Sequence, residues 1–442
     1  MLKTFPKGGV HPPENKITAT KSIQRLPVPK TVHVPVAQHI GAPAQIIVER
    51  KEKVVIGQVI AKSGGFVSSN IHSPVAGVVT KIDKIIDSSG YKKDCIVIRV
   101  DVKDESNFVD EVFPIKDKIV QSPEEIVQII ADYGIVGLGG ATFPLHVKLA
   151  LKPDQKIDCL LINGVECEPY LTADHRLMLE KTEEIVIGIK ILLKAFGIHK
   201  AIIGIENNKK DAIKALKEIC KNEPDIQIAT LKVKYPQGGE KQLIRAILGR
   251  EVPVGGLPLN VGVVVHNVGT VFAVYDAVQN NRPLTERVVT VTGKSLENSG
   301  NFWVKIGTPI SDLIAAVGAL PEDTRKIING GPMMGKAIKN TNVPVTKGTS
   351  GILLISEKEA SRKEVQNCIR CATCVSVCPM GLEPHLLMSL TEKTMFEQAA
   401  SEDIMTCIEC GSCSYVCPSN RPLLDQIRLG KMVVKKLDLL KN

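Results

Sequence analysis

Cys368-Ile369-Arg370-Cys371-Ala372-Thr373-Cys374-Val375-Ser376-Val377-Cys378-Pro379 is followed by Cys407-Ile408-Glu409-Cys410-Gly411-Ser412-Cys413-Ser414-Tyr415-Val416-Cys417-Pro418. Each cysteine of the second run lies 39 residues after its counterpart in the first. Three thiolates two residues apart can wrap one face of an iron–sulfur cluster, while a fourth, beside proline, points away to another. A structural zinc site pairs two short Cys-x2-Cys hooks and leaves the third cysteine and the Cys-Pro step without a role.

This run resembles that of bacterial-type ferredoxins, which carry two [4Fe–4S] clusters. On that pattern Cys368, Cys371, Cys374 and Cys417 hold one cluster, and Cys407, Cys410, Cys413 and Cys378 the other. The 28 residues from Pro379 to Thr406 contain Leu386-Leu387-Met388 and Met395–Ala400 and lack β alternation, which predicts an α-helical ferredoxin domain. Two clusters in series act as a wire for single electrons. The remaining four of the twelve cysteines are scattered. Cys95, Cys159 and Cys220 stand in apolar contexts as small core side chains; Cys167 lies beside a glycine-rich site described below.

The rest of the composition excludes several classes. With 442 residues the chain has room for two to four domains. Its 44% hydrophobic and 23% charged content is that of a globular protein, not a disordered or fibrous one. Aromatics are 4%, too few for a nucleic-acid interface built on stacking, and the net charge of +9 is modest. The N-terminus lacks the apolar core of a signal peptide. The two most apolar stretches, Ile185–Ile198 and Val261–Val278, are interrupted by Lys190 and Lys194 and by His266 and Asn267, so no membrane span is expected. A cytoplasmic protein is expected, with any membrane contact made through partners. In a reducing compartment clustered cysteines are metal ligands before they are disulfides.

The reading is a multidomain α/β protein. Residues 1–30, with five prolines, read as an extended arm. Residues 31–102 carry short β runs, and His72-Ser73-Pro74-Val75-Ala76-Gly77-Val78-Val79 resembles half of a biotinyl/lipoyl-type barrel-sandwich hybrid. The preceding Val67-Ser68-Ser69-Asn70-Ile71 has no lysine, so the fold is expected without a swinging arm. Residues 115–282 alternate helix and strand. Ser122-Pro123-Glu124-Glu125 is a capping box, strands are expected at Ile157–Ile162, Ala201–Ile205, Ile226–Val233 and Val261–Val265, and helices at Ala173–Phe196, Lys209–Lys221, Glu240–Leu248 and Thr270–Val278. That pattern implies a Rossmann-like, largely parallel sheet. Residues 285–356 suggest a small ββαβ module, and 357–442 begin with a helical Glu357–Asn367 before the cysteine runs.

Four segments in residues 115–282 are candidates for a ligand site: a glycine-rich loop after a helix, and three segments that follow strands, where ligands of α/β sheets collect. They are the glycine-rich Gly134–Pro144, Asn163-Gly164-Val165-Glu166-Cys167-Glu168-Pro169, Tyr235-Pro236-Gln237-Gly238-Gly239-Glu240, and His266-Asn267-Val268-Gly269-Thr270. Their order and content resemble the FMN- and NADH-binding domain of the flavin subunit of respiratory complex I. The resemblance implies a flavin loop of Gly137, Gly139, Gly140 and Lys148, a flavin lined by Asn163, Glu166, Tyr235, Gly238, Glu240, Asn267 and Thr270, and a nicotinamide nucleotide facing Phe143 and Glu168. Leu138, Thr142, Cys167, Gly239 and Gly269 depart from that family's pattern.

Taken whole, the module order resembles the RnfC family, the peripheral C subunits of Rnf ion-translocating ferredoxin:NAD oxidoreductases, with residues 285–356 as a soluble-ligand-binding β-grasp (SLBB) module. The resemblance implies non-covalent FMN, two [4Fe–4S] clusters and NAD(H) as substrate, with electrons relayed to or from membrane subunits and a ferredoxin-like subunit, coupled to Na+ or H+ translocation. It places the chain peripherally on the cytoplasmic face of the cell membrane. Two other readings stay open: a cobalamin reductase of a microcompartment, disfavoured because the barrel-like part stands at the N-terminus, and a flavin-less electron-relay adaptor.

Overall fold

The computed structural model describes residues 2–109, 113–151, 155–361 and 363–440. At its centre four strands pair in parallel in the order Ile226–Leu231, Ala201–Glu206, Cys159–Asn163, Val263–Asn267. Alternate residues of these strands feed two cores. Leu160, Ile162, Ile203 and Val264 pack beneath the helices Pro123–Asp132, Thr182–Phe196 and Val268–Asn280, while Cys159, Leu161, Ile202 and Val265 meet the helix Glu240–Leu248. A sheet buried on both faces needs continuous apolar runs, as these strands have. The chain builds outward from Cys159–Asn163 to one side, then returns to its other side. Strand order therefore reverses between Asn163 and Asn267, which are register partners.

The capping box is formed, with Ser122 accepting from Glu125 N and the Glu125 carboxylate accepting from Ser122 N. The single helix expected over Ala173–Phe196 is two, Ala173–Glu180 and Thr182–Phe196. At Lys181 the backbone leaves the helical region (φ −133°, ψ 38°), and the Thr182 hydroxyl donates to Met178 O at 2.6 Å.

N-terminal to this domain, a four-stranded antiparallel sheet (Thr31–Pro35, Lys92–Val100, Gly77–Ile86, Lys53–Val54) faces a three-stranded one (Gln45–Ile46, Val59–Lys62, Ile71–His72) over a valine- and isoleucine-rich core. C-terminal to it lies a six-stranded mixed sheet with the helix Ile310–Ala316. One edge of that sheet corrects the reading of residues 1–30. Ile23–Arg25 pairs in parallel with Asn301–Trp303. Upstream, Lys3 N donates to Thr230 O (3.3 Å), Val10 N to Tyr235 O (2.8 Å), and Phe5 is buried. The arm is a strap across the α/β domain, held by backbone bonds that its proline-rich sequence does not announce.

The C-terminal region is helical among its described residues and repeats its geometry at the cysteine period. Short helices Thr373–Ser376 and Ser412–Val416 correspond, and the helices Pro384–Glu392 and Leu423–Leu440 begin 39 residues apart. Left-handed backbone recurs at Arg370 and Glu409, at Ala372 and Gly411, and at Gly381 and Asn420. The helix expected over Glu357–Asn367 is confined to Glu357–Ala360. Beyond it Gln366 N donates to Ser419 O (2.9 Å) and Asn420 Nδ2 to Glu364 O (3.1 Å), so the segment's backbone is spent on the second Cys-Pro loop instead.

Candidate functional site: a glycine-lined cradle beside two cysteine quartets

The strand-order reversal at Asn163 and Asn267 is where ligands of open α/β sheets bind. The glycine loop closes over it. Leu138 N donates to Thr270 Oγ1 (2.9 Å), Gly137 N to Phe143 O (3.0 Å), and a Cβ on Gly139 would lie 2.7 Å from the Asn267 side chain. A Cβ on Gly140 would meet nothing within 4 Å. Gly139, Gly140 and Ala141 are exposed, so their backbone faces open space over the switch point. On the opposite wall Asn163 Nδ2 donates to Gly238 O (2.9 Å), and the Lys148 ammonium lies 3.4 Å from Val265 O and 3.7 Å from the Glu240 carboxylate. The structure thus brings Gly137, Gly139, Gly140, Lys148, Asn163, Gly238, Glu240, Asn267 and Thr270 together. A flat, phosphate-bearing ligand fits such a place. It needs close backbone approach, one cation and no Cβ in the way.

Four other residues singled out in the sequence have different surroundings. Glu166 turns its carboxylate onto the start of the helix Ala173–Glu180, accepting from Asp174 N (2.8 Å) and His175 N (3.1 Å). Glu168 accepts from Met333 N (3.0 Å) and Met334 N (2.8 Å) in the turn that follows Gly330-Gly331-Pro332, and burial pushes its carboxyl up to about 7. Tyr235 is buried and its phenol donates to Cys410 O at 2.8 Å. Phe143 is half-buried at the end of the glycine loop.

Sequence reasoning missed Asp174, Arg287, Lys347 and Lys16. Asp174 accepts from Asn267 Nδ2 (2.6 Å); burial, then the neighbouring Glu166, pushes its carboxyl up to about 7. Lys16, on the strap, donates to Glu166 O, Glu168 O and Leu171 O at 2.6–2.9 Å. No local motif marks these residues, because each has a partner more than ninety positions away in sequence.

Cys167 is half-buried and accepts from Gly238 N at 3.3 Å. It packs in one apolar cluster with Val10, Tyr235, Met333 and Cys410. A cavity of about 200 Å³ opens beside it, bounded by the strap residues Val10–Lys16 and by Glu206, Lys234 and Tyr235.

Seven of the eight cysteines of the repeat fall into two sets of electrostatic neighbours. Burial first, then charge repulsion among Cys378, Cys407, Cys410 and Cys413, raises the thiols of Cys407 (to about 11), Cys410 and Cys413 (to about 12). Cys374 is raised by burial and then by Cys417 and Cys368. These neighbours cross between the two runs, with Cys378 beside the second and Cys417 beside the first. Among the described residues no three His, Cys, Asp or Glu side chains converge on a single metal ion. A cuboidal four-iron cluster takes its thiolates at separate corners, so wider thiolate sets suit it. Backbone N–H groups already aim at the sulfurs, Leu382 N at Cys378 and Glu409 N at Cys407, each at 3.4 Å. The donor chemistry fits iron–sulfur clusters. The quartets also differ in exposure. Cys378, Cys410 and Cys413 are buried, Cys410 against Tyr235 of the α/β domain and the other two within the helical region, whereas Cys368 and Cys371 are exposed.

Four family models match successive parts of the chain. Residues 3–103 match the family described as the RnfC barrel sandwich hybrid domain, 130–276 the Nuo51 FMN-binding domain, 288–337 the SLBB domain and 360–418 the 4Fe-4S dicluster domain. The chain is 46% identical over 400 residues to the C subunit of the proton-translocating ferredoxin:NAD(+) oxidoreductase complex of Clostridium ljungdahlii, covering 90% of this chain and 87% of that one. It is 42% identical over 430 residues to the C subunit of the Na(+)-translocating ferredoxin:NAD(+) oxidoreductase complex of Acetobacterium woodii, covering 96% of each. Among solved structures, an NAD+-reducing [NiFe]-hydrogenase shares the fold over 70% of this chain and 63% of that one, with a TM-score of 0.50 and 18% identity. No described helix is long and apolar enough to cross a membrane.

Proposed function

The chain belongs to the RnfC family, the C subunits of ion-translocating oxidoreductase complexes, and on that premise we propose how its residues carry electrons between NAD(H) and the rest of such a complex. It is a peripheral electron-transfer subunit of an ion-translocating ferredoxin:NAD oxidoreductase, with an FMN-binding domain and a 4Fe-4S dicluster domain. FMN, when bound, converts the two-electron hydride chemistry of NADH into single-electron transfers that iron–sulfur clusters accept.

The observation that carries the finer reading is the contrast between the quartets. Cys378, Cys407, Cys410 and Cys413 hold the cluster nearer the flavin, joined to the flavin domain by the Tyr235–Cys410 bond. Cys368, Cys371, Cys374 and Cys417 hold the outer cluster, whose exposed cysteines face the next carrier. Gly137, Gly139 and Gly140 offer backbone to the flavin, and Asn163, Gly238, Asn267 and Thr270 fix the walls around it. Lys148 supplies the positive charge for its phosphate or ring, with Glu240 as counter-charge. Phe143 offers an aromatic face to the nucleotide; Glu168 reaches it only when the Met333–Met334 turn releases the carboxylate. Glu166 shapes the site through the helix it caps. The domains are read as a strap over 1–30, a barrel-sandwich hybrid over 31–102, a flavin domain over 115–282, an SLBB β-grasp module over 285–356 and an α-helical ferredoxin domain over 357–442. Partners are the membrane subunits and a ferredoxin-like subunit, met at the cytoplasmic face of the membrane.

Anaerobic purification tests this reading through iron, sulfide and flavin content and the response to NADH. About eight irons, one FMN and bleaching by NADH are expected. Intact clusters with no flavin uptake would instead support a relay adaptor.

A further inference from the structure

We propose that Lys347 and Arg287 form a buried cationic brace that positions the flavin-binding glycine loop. The inference rests on the flavin reading above and assigns a role to the six-stranded sheet that carries both residues or their loop. Lys347 is 1% exposed. Its ammonium donates to Gly134 O at 2.7 Å and Asn70 O at 3.0 Å, and its backbone N donates to Gln38 Oε1 at 2.9 Å. Its backbone oxygen accepts from Arg287 Nη1, which also donates to Leu138 O at 3.3 Å. Next along the chain, a Cβ on Gly348 would lie 2.9 Å from the Thr142 methyl group. The glycine loop is therefore touched at residues 134, 138 and 142, every fourth position.

Two features mark these contacts as positioning rather than filler. Gly134 ends the helix Pro123–Asp132 with φ +66°, and a Cβ there would lie 2.4 Å from Asn70 O and 2.9 Å from Lys347 Nζ. Only glycine admits the ammonium so close. Arg287 has Asp174 as a counter-charge. Lys347 has none acting on it among the described residues: burial alone pulls its ammonium down to about 7. A buried ammonium without a counter-charge is costly to hold, while its removal leaves the two carbonyls it serves unsatisfied. What it adds is a pair of donors that fix where the loop begins. Gln38 and Asn70 bring the barrel-like domain into the same brace, so three domains set one loop.

The test compares Lys347→Met and Lys347→Gln with the wild-type chain, reading FMN dissociation from flavin fluorescence, with iron content and cluster EPR as folding controls. Lys347→Met removes both ammonium hydrogen bonds and is expected to bind FMN about tenfold more weakly, with iron content unchanged. Excess FMN should restore NADH oxidation to the wild-type kcat. Lys347→Gln keeps an N–H donor and should recover part of the affinity. Wild-type FMN affinity in Lys347→Met overturns the brace. Should that variant not fold, Arg287→Lys and Lys347→Gln carry the test, and wild-type affinity in both overturns it. A wild-type chain that takes up no FMN at saturation sinks the flavin reading and the brace with it, a result distinct from either of these.

Discussion

The phenol of Tyr235 donates a 2.8 Å hydrogen bond to the carbonyl oxygen of Cys410, across 175 residues of sequence. One partner follows a strand of the flavin domain; the other sits inside the buried cysteine quartet. Replacing Tyr235 by Phe leaves that carbonyl without its donor, at a cost of about 1–3 kcal/mol. Flavin and iron content should persist in Tyr235→Phe, while stopped-flow absorbance records slower passage of electrons from flavin to clusters. An unchanged transfer rate would limit the bond to stability.

Gly140 tests the cradle itself. Its missing Cβ faces empty space, whereas that of Gly139 would strike Asn267. Gly140→Val is expected to leave thermal stability within about 0.5–1 kcal/mol and to abolish FMN retention, because the side chain fills the ligand's place. Gly139→Val should lose both, through a displaced Asn267. Equilibrium dialysis against FMN, paired with thermal melts, separates the two outcomes.

The strap makes its own prediction. Lys16 Nζ satisfies three carbonyls at 2.6–2.9 Å in the segment between Asn163 and the helix Ala173–Glu180. Lys16→Met orphans them, and the loss should exceed that of a single neutral bond, about 2–4 kcal/mol by denaturant unfolding. Limited proteolysis should then cut the strap ahead of the domains it crosses.

Glu168 gives a pH dependence with a defined sign. Burial raises its carboxyl from 4.5 to about 7 in the folded chain, against the two backbone N–H groups that favour the charged form. Between those values the folded state binds a proton that the unfolded state has released. Stability should therefore fall as pH rises through that window and stay lowered above it. Glu168→Gln cannot ionise, so its melting temperature should vary less across the same interval.

Much of this was legible in the sequence, for physical reasons that also mark the limit. The cysteine spacing reports a local wrapping geometry, and the left-handed positions at Arg370, Ala372, Glu409 and Gly411 realise it twice. The strand ends Asn163 and Asn267 were legible because a parallel sheet writes its ligand side into strand–loop–helix order. Glu166 and Glu168 were not. A carboxylate in a glycine-rich loop reads the same whether it faces a ligand, caps a helix or holds a turn. Lys16, Arg287 and Lys347 were silent too, since they bond backbone carbonyls far away in sequence, which leave no side-chain pattern. The split at Lys181 escaped because Thr182 fits a helical pattern on either side of the break.

The order of carriers, flavin to buried quartet to exposed quartet, is tested most directly by anaerobic NADH titration of Cys371→Ala followed by EPR. That substitution should remove the outer cluster, leave flavin content largely intact, and leave the remaining cluster reducible by NADH at the wild-type rate. A remaining cluster that stays oxidised while the flavin is bleached would contradict the order.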